Sequence, residues 1–546
     1  MTELAAPARL GTPQSDGAQN ALDRLTSLGW RGGLAAILGG LVLSFLLFGF
    51  AVVYFRNADM DFMVIYNALV MNDGKPQAFF DHPAYLTIIG VKSWFRLLHA
   101  TGLLDAWTLS AIPPASDAAA FDAAMTHAVR AGRMFALLIA LGCVVVFAFL
   151  IRRIVRDWRV ALLATMAFAL SGGIAVHSRI LRSELIAAMP VISALMILIV
   201  VSRRGCTARP LALALASALC VIGLENKVQA ILLIGALPVL ILPFGSGAGG
   251  SAQFWNRNSG WIAVIAAMIA AAVATWMAWP LLVVGFDRAL LDATQLRPIL
   301  FNGFGYYQAA LLLFVLSCII IYARIWRTSA AETTAAIAAV VAGAALALLL
   351  LDRDYDSGNV VAVLNPLEKM LSFADASTSD AAHASSPGAA LLLLLQGLGS
   401  VLARYTFVLH SSARPTVFLT WLIVPGLVVA WRRGERVVAL QALLLLLAAV
   451  AIDTLGVRRG LKTEYFIFTD PLIVLAGALL LDRLTDLGRY RFATAIGYTL
   501  VALHIVIGQA EPVKYATRRT GPESVCEWRG YYLPLLQLPW CSPSKS

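Results

Sequence analysis

Two carboxylates, Asp59 and Asp61, follow the first long apolar run of the sequence within a few residues. A carboxylate at the edge of a membrane cavity can accept a proton from a hydroxyl group, because burial raises its pKa. Asp81 and His82 come later in the same polar segment and could orient a bound ligand. These residue types predict a general base with ligand-binding groups beside it, and a solvated loop is the alternative for each of them.

A second group of chemically interesting residues consists of Lys and Arg at the ends of apolar runs. Arginine binds phosphate oxygens through two parallel hydrogen bonds, and lysine supplies a compact positive charge. As a group they predict a pocket for an anionic lipid headgroup. The alternative for each cation is a local partner, such as Glu184 for Arg182, or a side chain that extends to the membrane interface. The candidates are Arg179, Arg182, Lys227, Arg458, Arg459 and Lys462.

The elements that must position these groups are membrane helices. The 546 residues are 60% apolar and 13% charged, and the mean hydropathy is +0.79, far from the balance of soluble proteins. Helices satisfy their own backbone in hydrocarbon, and the alternating segments of a membrane barrel are absent. The net charge of +11 is scattered between apolar runs, so nucleic acid is not an expected partner. The fold class predicted is therefore an all-α polytopic membrane protein.

The hydropathy pattern predicts about thirteen transmembrane helices. Arginine clusters fall on alternate connections, which by the positive-inside rule are cytoplasmic. The amino terminus is then cytoplasmic, and the carboxyl tail and the candidate residues lie outside. The predicted spans are 33–55, 131–151, 160–176, 185–201, 210–224, 228–244, 261–283, 307–323, 333–351, 416–431, 437–453, 466–481 and 493–509.

The remaining sequence divides into tails and two long outer loops. A disordered cytoplasmic tail (1–32) precedes the module 33–351, which includes the first outer loop, 56–130. A second outer loop, 352–415, carries an apolar stretch, 390–405, predicted to be a helix at the outer membrane surface. The carboxyl-terminal helices, 416–509, end in an outer tail, 510–546. The candidate for a divalent metal site is an acidic triplet in the second loop, formed by Asp352, Asp354 and Asp356. A solvated loop edge is the preferred interpretation of these three residues.

Two of the six cysteines, Cys526 and Cys541, share the polar carboxyl tail, whereas four others lie in or beside apolar runs. In an oxidising compartment the two tail cysteines could form a disulfide that closes a small loop. The pairing requires the outside location that the charge pattern predicts for this tail.

The first outer loop resembles that of the GT-C glycosyltransferases, which include protein mannosyltransferases and the lipid A aminoarabinose transferase. The acidic motif is Asp59-Met60-Asp61, with Tyr66 and Gly74 following, and His82-Pro83-Ala84 stands where the family has a double proline. Three further segments are similar to later parts of the family pattern: the stretch from His177-Ser178-Arg179 to Glu184, the turn Glu225-Asn226-Lys227, and the run KTEYFIFTDP at 462–471.

The resemblance implies a GT-C-like fold with short amphipathic helices in long outer loops, and a membrane glycosyltransferase activity. It implies a polyprenyl-phosphate-sugar donor and a lipid, glycan or protein acceptor. Attack opposite the leaving group predicts inversion at the anomeric carbon of the sugar. Asp61 is preferred as base over Asp59, and the six cations would bind the donor phosphate. The residues that would contact substrate are Tyr66, Asp81, His82, Glu184 and Tyr465. No cofactor is predicted, and a divalent cation is possible but not expected.

Two other classes of membrane protein stay open at this point, a transporter and a flippase or ligase for lipid-linked saccharides. A transporter predicts ionisable groups near the middle of the membrane and paired broken helices. The spans of this chain are largely uncharged, and its charges cluster at outer ends. Short connections favour a bacterial inner membrane, with the active site and carboxyl terminus in the periplasm.

Overall fold

In the computed structural model of the chain, every regular element described is a helix. The structure describes residues 29–56, 61–75, 77, 84–203, 209–245, 258–283, 305–354, 387–406, 416–456, 463–485, 491–517 and 521–541. The α-helices are α1 (Gly29–Phe48), α2 (Met63–Asn72), α3 (Tyr85–Ala100), α4 (Ala118–Ile154), α5 (Trp158–Ala169), α6 (Gly172–His177), α7 (Glu184–Arg203), α8 (Arg209–Asn226), α9 (Ala230–Ile241), α10 (Asn258–Val283), α11 (Gly305–Ile325), α12 (Ala330–Asp354), α13 (Pro387–Thr406), α14 (Val417–Arg432), α15 (Arg436–Gly456), α16 (Asp470–Thr485), α17 (Arg491–Thr517) and α18 (Arg529–Tyr532). Short 3₁₀ helices lie at Tyr54–Arg56, Leu109–Ala111, Leu242–Gly245, Thr463–Phe468 and Pro522–Trp528.

Six helices in the described part are long and apolar enough to cross a membrane, and seven shorter helices are also apolar. A span needs about 20 apolar residues because each residue rises about 1.5 Å through roughly 30 Å of hydrocarbon. The all-helical character predicted from composition is therefore confirmed, and these helices are compatible with a membrane protein. The count of thirteen spans stays a prediction. The six are Gly29–Phe48, Ala118–Ile154, Glu184–Ser202, Arg209–Asn226, Ala330–Leu351 and Arg436–Leu455.

The helix boundaries differ from the predicted spans at three places near the candidate residues. α1 ends at Phe48, seven residues before the predicted end. α4 has 37 residues and begins inside the predicted first outer loop, so its length of about 55 Å exceeds the hydrocarbon thickness. The predicted span 160–176 is two helices, because the chain breaks after Leu170 and the Ser171 hydroxyl accepts a hydrogen bond from the Ile174 amide at the start of α6.

The core consists of two large apolar clusters. One lies between the long helices and includes buried side chains of α1, α4, α5, α7, α9, α15 and α16. The other lies around the first outer loop, where α2 is buried on all sides between α3, α4 and the carboxyl-terminal residues. A helix that is apolar all round needs such enclosure. The second cluster therefore holds the segment that follows Asp61 in a fixed position.

Residues 521–541, which we call the carboxyl-terminal cap, complete the second cluster. The disulfide between Cys526 and Cys541 closes the cap, with Cα atoms 5.5 Å apart, and it is the pairing predicted from the sequence. The Trp540 ring packs against Tyr54 and Phe55, with ring centres 5.9 and 5.5 Å apart. The cap thus contacts the chain immediately after α1.

Close backbone contact joins α12 to α8. A Cβ atom at Gly343 would lie 2.0 Å from the carbonyl oxygen of Ala214, and the Ser217 hydroxyl donates a hydrogen bond of 2.7 Å to the Val340 carbonyl oxygen. Small residues and interhelical hydrogen bonds are the usual means by which membrane helices associate. This contact fixes α8, whose carboxyl end carries several candidate residues.

We expect Gly343→Ala to destabilise the protein by about 1 to 3 kcal/mol, because the added methyl group meets backbone that cannot move aside without separating α8 from α12. Gly142→Ala in α4 is the matched control, since no atom lies within 4 Å of its Cβ position and alanine favours a helix by roughly 0.5 to 1 kcal/mol. Thermal unfolding of both purified variants in detergent measures the difference. A Gly343→Ala protein that is as stable as Gly142→Ala would contradict this packing.

Candidate functional site

Glu184 is the centre of a buried charged cluster. Its Oε1 atom accepts hydrogen bonds from Lys227 Nζ at 2.5 Å and Arg182 Nη2 at 2.9 Å, and its Oε2 atom accepts one from Arg182 Nε at 3.2 Å. The Nε2 atom of His177 lies 3.6 Å from Oε2. All four side chains are buried. A carboxylate with two cations in the interior is held in one orientation, because its charge has partners on several sides.

The 3₁₀ helix Thr463–Phe468 adds two more side chains to this cluster. The Glu464 carboxylate lies 3.6 Å from Arg182 Nη2, and the Lys227 ammonium lies 5.7 Å from the centre of the Tyr465 ring. The approach is close because Gly173 has no side chain, and a Cβ atom there would lie 3.0 Å from the Ile467 nitrogen. The pairing of Arg182 with Glu184 is the local partner that the sequence offered as the alternative to an anion pocket. The structure adds Lys227 and the distant residues Glu464 and Tyr465 to this pair.

Asp61 is buried beside this cluster and is paired with Arg133. Its Oδ2 atom accepts hydrogen bonds from Arg133 Nε at 2.8 Å and lies 2.7 Å from Arg133 Nη2, while Oδ1 accepts one from the Leu181 amide at 3.1 Å. Burial raises the pKa of Asp61, and Arg133 and the more distant Arg182 oppose that rise. Asp61 therefore connects the first outer loop to the connection that carries Arg182 and Glu184.

Arg133 is a site residue that the sequence reasoning missed. Besides Asp61 it donates to the carbonyl oxygens of Gly49, Val52 and Val53, where the chain leaves α1. The signal in the sequence is a lone arginine between apolar residues of a predicted span, where a charge needs a partner. Its effect is to hold the end of α1 beside the start of α2.

Asn226 was also missed as a connecting residue. Its side-chain oxygen accepts hydrogen bonds from the amide and the hydroxyl of Thr87, and its side-chain nitrogen donates to the Ser183 carbonyl oxygen at 2.6 Å. Its backbone carbonyl accepts from the amide of Ala84, which has a positive φ of 49° at the start of α3. The neighbour of Lys227 thus fixes the start of α3 against the connection before α7.

Two predicted site residues, Arg179 and Tyr66, have hydrogen-bond partners that do not belong to the Glu184 cluster. Arg179 Nη2 donates hydrogen bonds to the Ser44 hydroxyl and to Gln509 Oε1, the latter at 2.7 Å. Within the described part, Arg179 donates no hydrogen bond to Glu184. Tyr66 is buried, and its hydroxyl accepts a hydrogen bond of 3.0 Å from the amide of Leu535 in the carboxyl-terminal cap. Tyr66 therefore anchors the cap.

The other predicted site residues lie outside the described part of the chain: Asp59, Asp81, His82, Arg458, Arg459 and Lys462. Within that part, no three His, Cys, Asp or Glu side chains are grouped closely enough to hold a metal ion. Of the acidic triplet, the backbone of Asp352 and Asp354 belongs to the end of α12, and Asp356 lies outside the described part of the chain.

Several buried polar atoms around the cluster have no hydrogen-bond partner among the described residues. They include the Ser183 hydroxyl and His177 Nε2, on either side of Arg182, and one carboxylate oxygen of Glu225. Both side-chain polar atoms of Gln229, two residues after Lys227, share this property. Buried polar groups in native proteins nearly always have a partner, which is protein, water or ligand. Their concentration here indicates a place where polar molecules bind.

A scan of the chain against models of known protein families finds no match, and a search of curated protein sequences finds none either.

Proposed function

We propose that this protein is a membrane glycosyltransferase of the GT-C type. It transfers a sugar from a polyprenyl-phosphate donor to a lipid, glycan or protein acceptor at the non-cytoplasmic face of the membrane, in a bacterial inner membrane. The observation that carries the proposal is the hydrogen bond from the Leu181 amide to Asp61, because Leu181 directly precedes Arg182 of the Arg182–Glu184–Lys227 cluster. These residues come from three separate regions of the chain, and they lie at the ends of helices that are predicted to face outward.

In the proposed reaction the acceptor hydroxyl attacks the anomeric carbon of the sugar. A new carbon–oxygen bond forms, the bond to the lipid phosphate breaks, and the hydroxyl proton passes to Asp61, or to Asp59 as the alternative. Asp61 Oδ1 accepts only the Leu181 amide among the hydrogen bonds described, so this oxygen has a second acceptor position. Attack opposite the leaving group inverts the configuration of that carbon.

Charge stabilisation in this proposal comes from the cationic side of the cluster. The leaving phosphate develops negative charge, and fixed cations in a site with little water stabilise it strongly. Arg182 and Lys227 are held by Glu184, so they need no reorganisation during the reaction. The Ser183 hydroxyl, which lacks a hydrogen-bond partner in the described part, is suited to a sugar hydroxyl group.

The proposal is tested by incubating the full-length protein in proteoliposomes with polyprenyl-phosphate donors that carry different radiolabelled sugars, together with an extract of membrane lipids and glycans as acceptor. We expect one donor to release its polyprenyl phosphate and to label an acceptor with inverted anomeric configuration. Glu435→Gln is the control, since this carboxylate pairs with Arg483 at the predicted cytoplasmic side and is about one-third exposed. Movement of a labelled lipid-linked saccharide across the bilayer without transfer from any donor would replace the proposal by the flippase alternative.

A further inference from the structure

Arg179 is a buried cation for which the described part of the chain supplies no carboxylate. Its side chain is only 3% exposed. Nη2 donates to the Ser44 hydroxyl and to Gln509 Oε1, whereas Nε and Nη1 have no hydrogen-bond partner among the described residues. A guanidinium has five N–H donors, one of them on Nε and two on Nη1. Three donors are therefore left for a bound acceptor.

The energy of this arrangement also indicates a bound acceptor. A buried donor without a partner is costly, because it has lost its hydrogen bonds to water, and the cost is larger when the group is charged. Burial lowers the pKa of Arg179 to about 10, a value at which the side chain is still a cation at neutral pH. An anion would satisfy both the donors and the charge, whereas water would satisfy the donors alone.

The surroundings of Arg179 favour an anion that belongs to a lipid. The guanidinium bridges α1 and α17, because Ser44 lies on α1 and Gln509 on α17. The outer surface of this α1–α17 seam is apolar, with Leu47 61%, Val506 67% and Ile507 40% exposed. Such side chains in a membrane protein face lipid tails. A headgroup at the end of α1 would therefore have its acyl or prenyl chain along the seam.

We propose that Arg179 binds the phosphate group of a membrane lipid at the α1–α17 seam. The phosphate accepts the Nε and Nη1 hydrogens, and the ring of Phe48, whose centre is 5.2 Å from the guanidinium carbon, covers one face of the cation. This site is distinct from the Glu184 cluster, where Arg182 and Lys227 already have carboxylate partners. The inference does not depend on sugar transfer, so the two proposals can fail separately.

The test uses native mass spectrometry of the purified full-length protein in detergent with dioleoylphosphatidic acid. Dioleoylglycerol, which has the same chains without phosphate, and inorganic phosphate are the comparison ligands. We expect the protein to retain phosphatidic acid, and Arg179→Gln to weaken this binding by about 10- to 100-fold, since a charge-assisted hydrogen bond contributes about 1.5 to 3 kcal/mol. Arg209→Gln is the matched control, because the Arg209 guanidinium also lies over an aromatic ring, with its carbon 5.3 Å from the centre of the Trp326 ring. We expect this variant to bind phosphatidic acid as tightly as the wild-type protein.

A second variant keeps the inference testable where Arg179→Gln does not fold. Gln509→Glu places a carboxylate where the amide oxygen already accepts from Arg179 Nη2, so it supplies an internal counter-ion. We expect it to remain folded and to lose phosphatidic acid binding by a similar factor. If dioleoylglycerol binds as tightly as phosphatidic acid, the phosphate is not recognised and water satisfies Arg179. If inorganic phosphate binds as tightly as phosphatidic acid, and this binding depends on Arg179, the site takes free anions. Either result overturns the lipid site.

Discussion

Asp61→Asn is expected to reduce sugar transfer by at least about 100-fold, because an amide cannot accept the proton of the acceptor hydroxyl and a general base contributes roughly 10²- to 10⁴-fold. The pH dependence provides a second readout. Only the carboxylate form is a base, so transfer by the wild-type protein should fall as the pH is lowered through the raised pKa of Asp61. This acidic limb should be absent from the residual activity of the variant.

The same substitution also removes one partner of a buried ion pair. Arg133 would face a neutral amide in the interior, and removing one member of such a pair costs about 3 to 5 kcal/mol. Lost activity could then reflect lost structure. The double variant Asp61→Asn with Arg133→Met separates the two effects, because it removes both charges.

We expect the double variant to recover at least half of the lost thermal stability and none of the lost transfer. Recovery of transfer together with stability would show that Asp61 positions the connection at Leu181 and is not the base. Asp59 would then be the residue to substitute next. The required measurements are thermal unfolding and the proteoliposome transfer assay on the same preparations.

Glu184→Gln is expected to have the second large effect. The buried cations Lys227 and Arg182 would lose the carboxylate that now accepts three of their hydrogen bonds, and we expect a loss of about 3 to 5 kcal/mol in the free energy of unfolding. Transfer should fall at the same time, because the freed cations no longer have fixed positions beside the leaving phosphate. Thermal unfolding and initial transfer rates measure the two effects.

Glu435→Gln is the matched control for Glu184→Gln. This carboxylate also pairs with an arginine, at 3.4 Å from Arg483, but both side chains are about one-third exposed. Exposed pairs contribute roughly 0 to 1 kcal/mol. Equal stability of the two variants would be incompatible with a tight network around Glu184, and it would remove the structural basis of the proposed phosphate stabilisation.

Much of the helical layout could be predicted from the sequence, because hydropathy reports where lipid-soluble helices lie. Each predicted span overlaps a helix in the structure. The boundaries near the site were less accurate, since polar residues inside a helix do not end it when they have buried partners. α4 continues through Arg130 and Arg133 for this reason, with Arg133 paired to Asp61.

The candidate site could be predicted in part. Positive charge opposite to the topological bias pointed to Arg182 and Lys227, and both pair with Glu184, which the sequence had offered as a local partner of Arg182. The same reasoning could not separate Arg179 from them, because two arginines three positions apart on an irregular connection can face different helices. Asn226 carries no charge, and its role depends on the Thr87 and Ser183 groups that approach it only in the folded chain.

The hydrogen bond between Tyr66 and Leu535 joins positions separated by 469 residues. In the predicted topology, the buried segment after Asp61 therefore cannot take its final form until the last helix has been inserted and the residues after it have been exported. Biogenesis is then ordered by the chain itself: a nascent or truncated protein has its early helices in place but an unfinished outer surface. Oxidation of Cys526 and Cys541 on the far side of the membrane would mark the end of maturation.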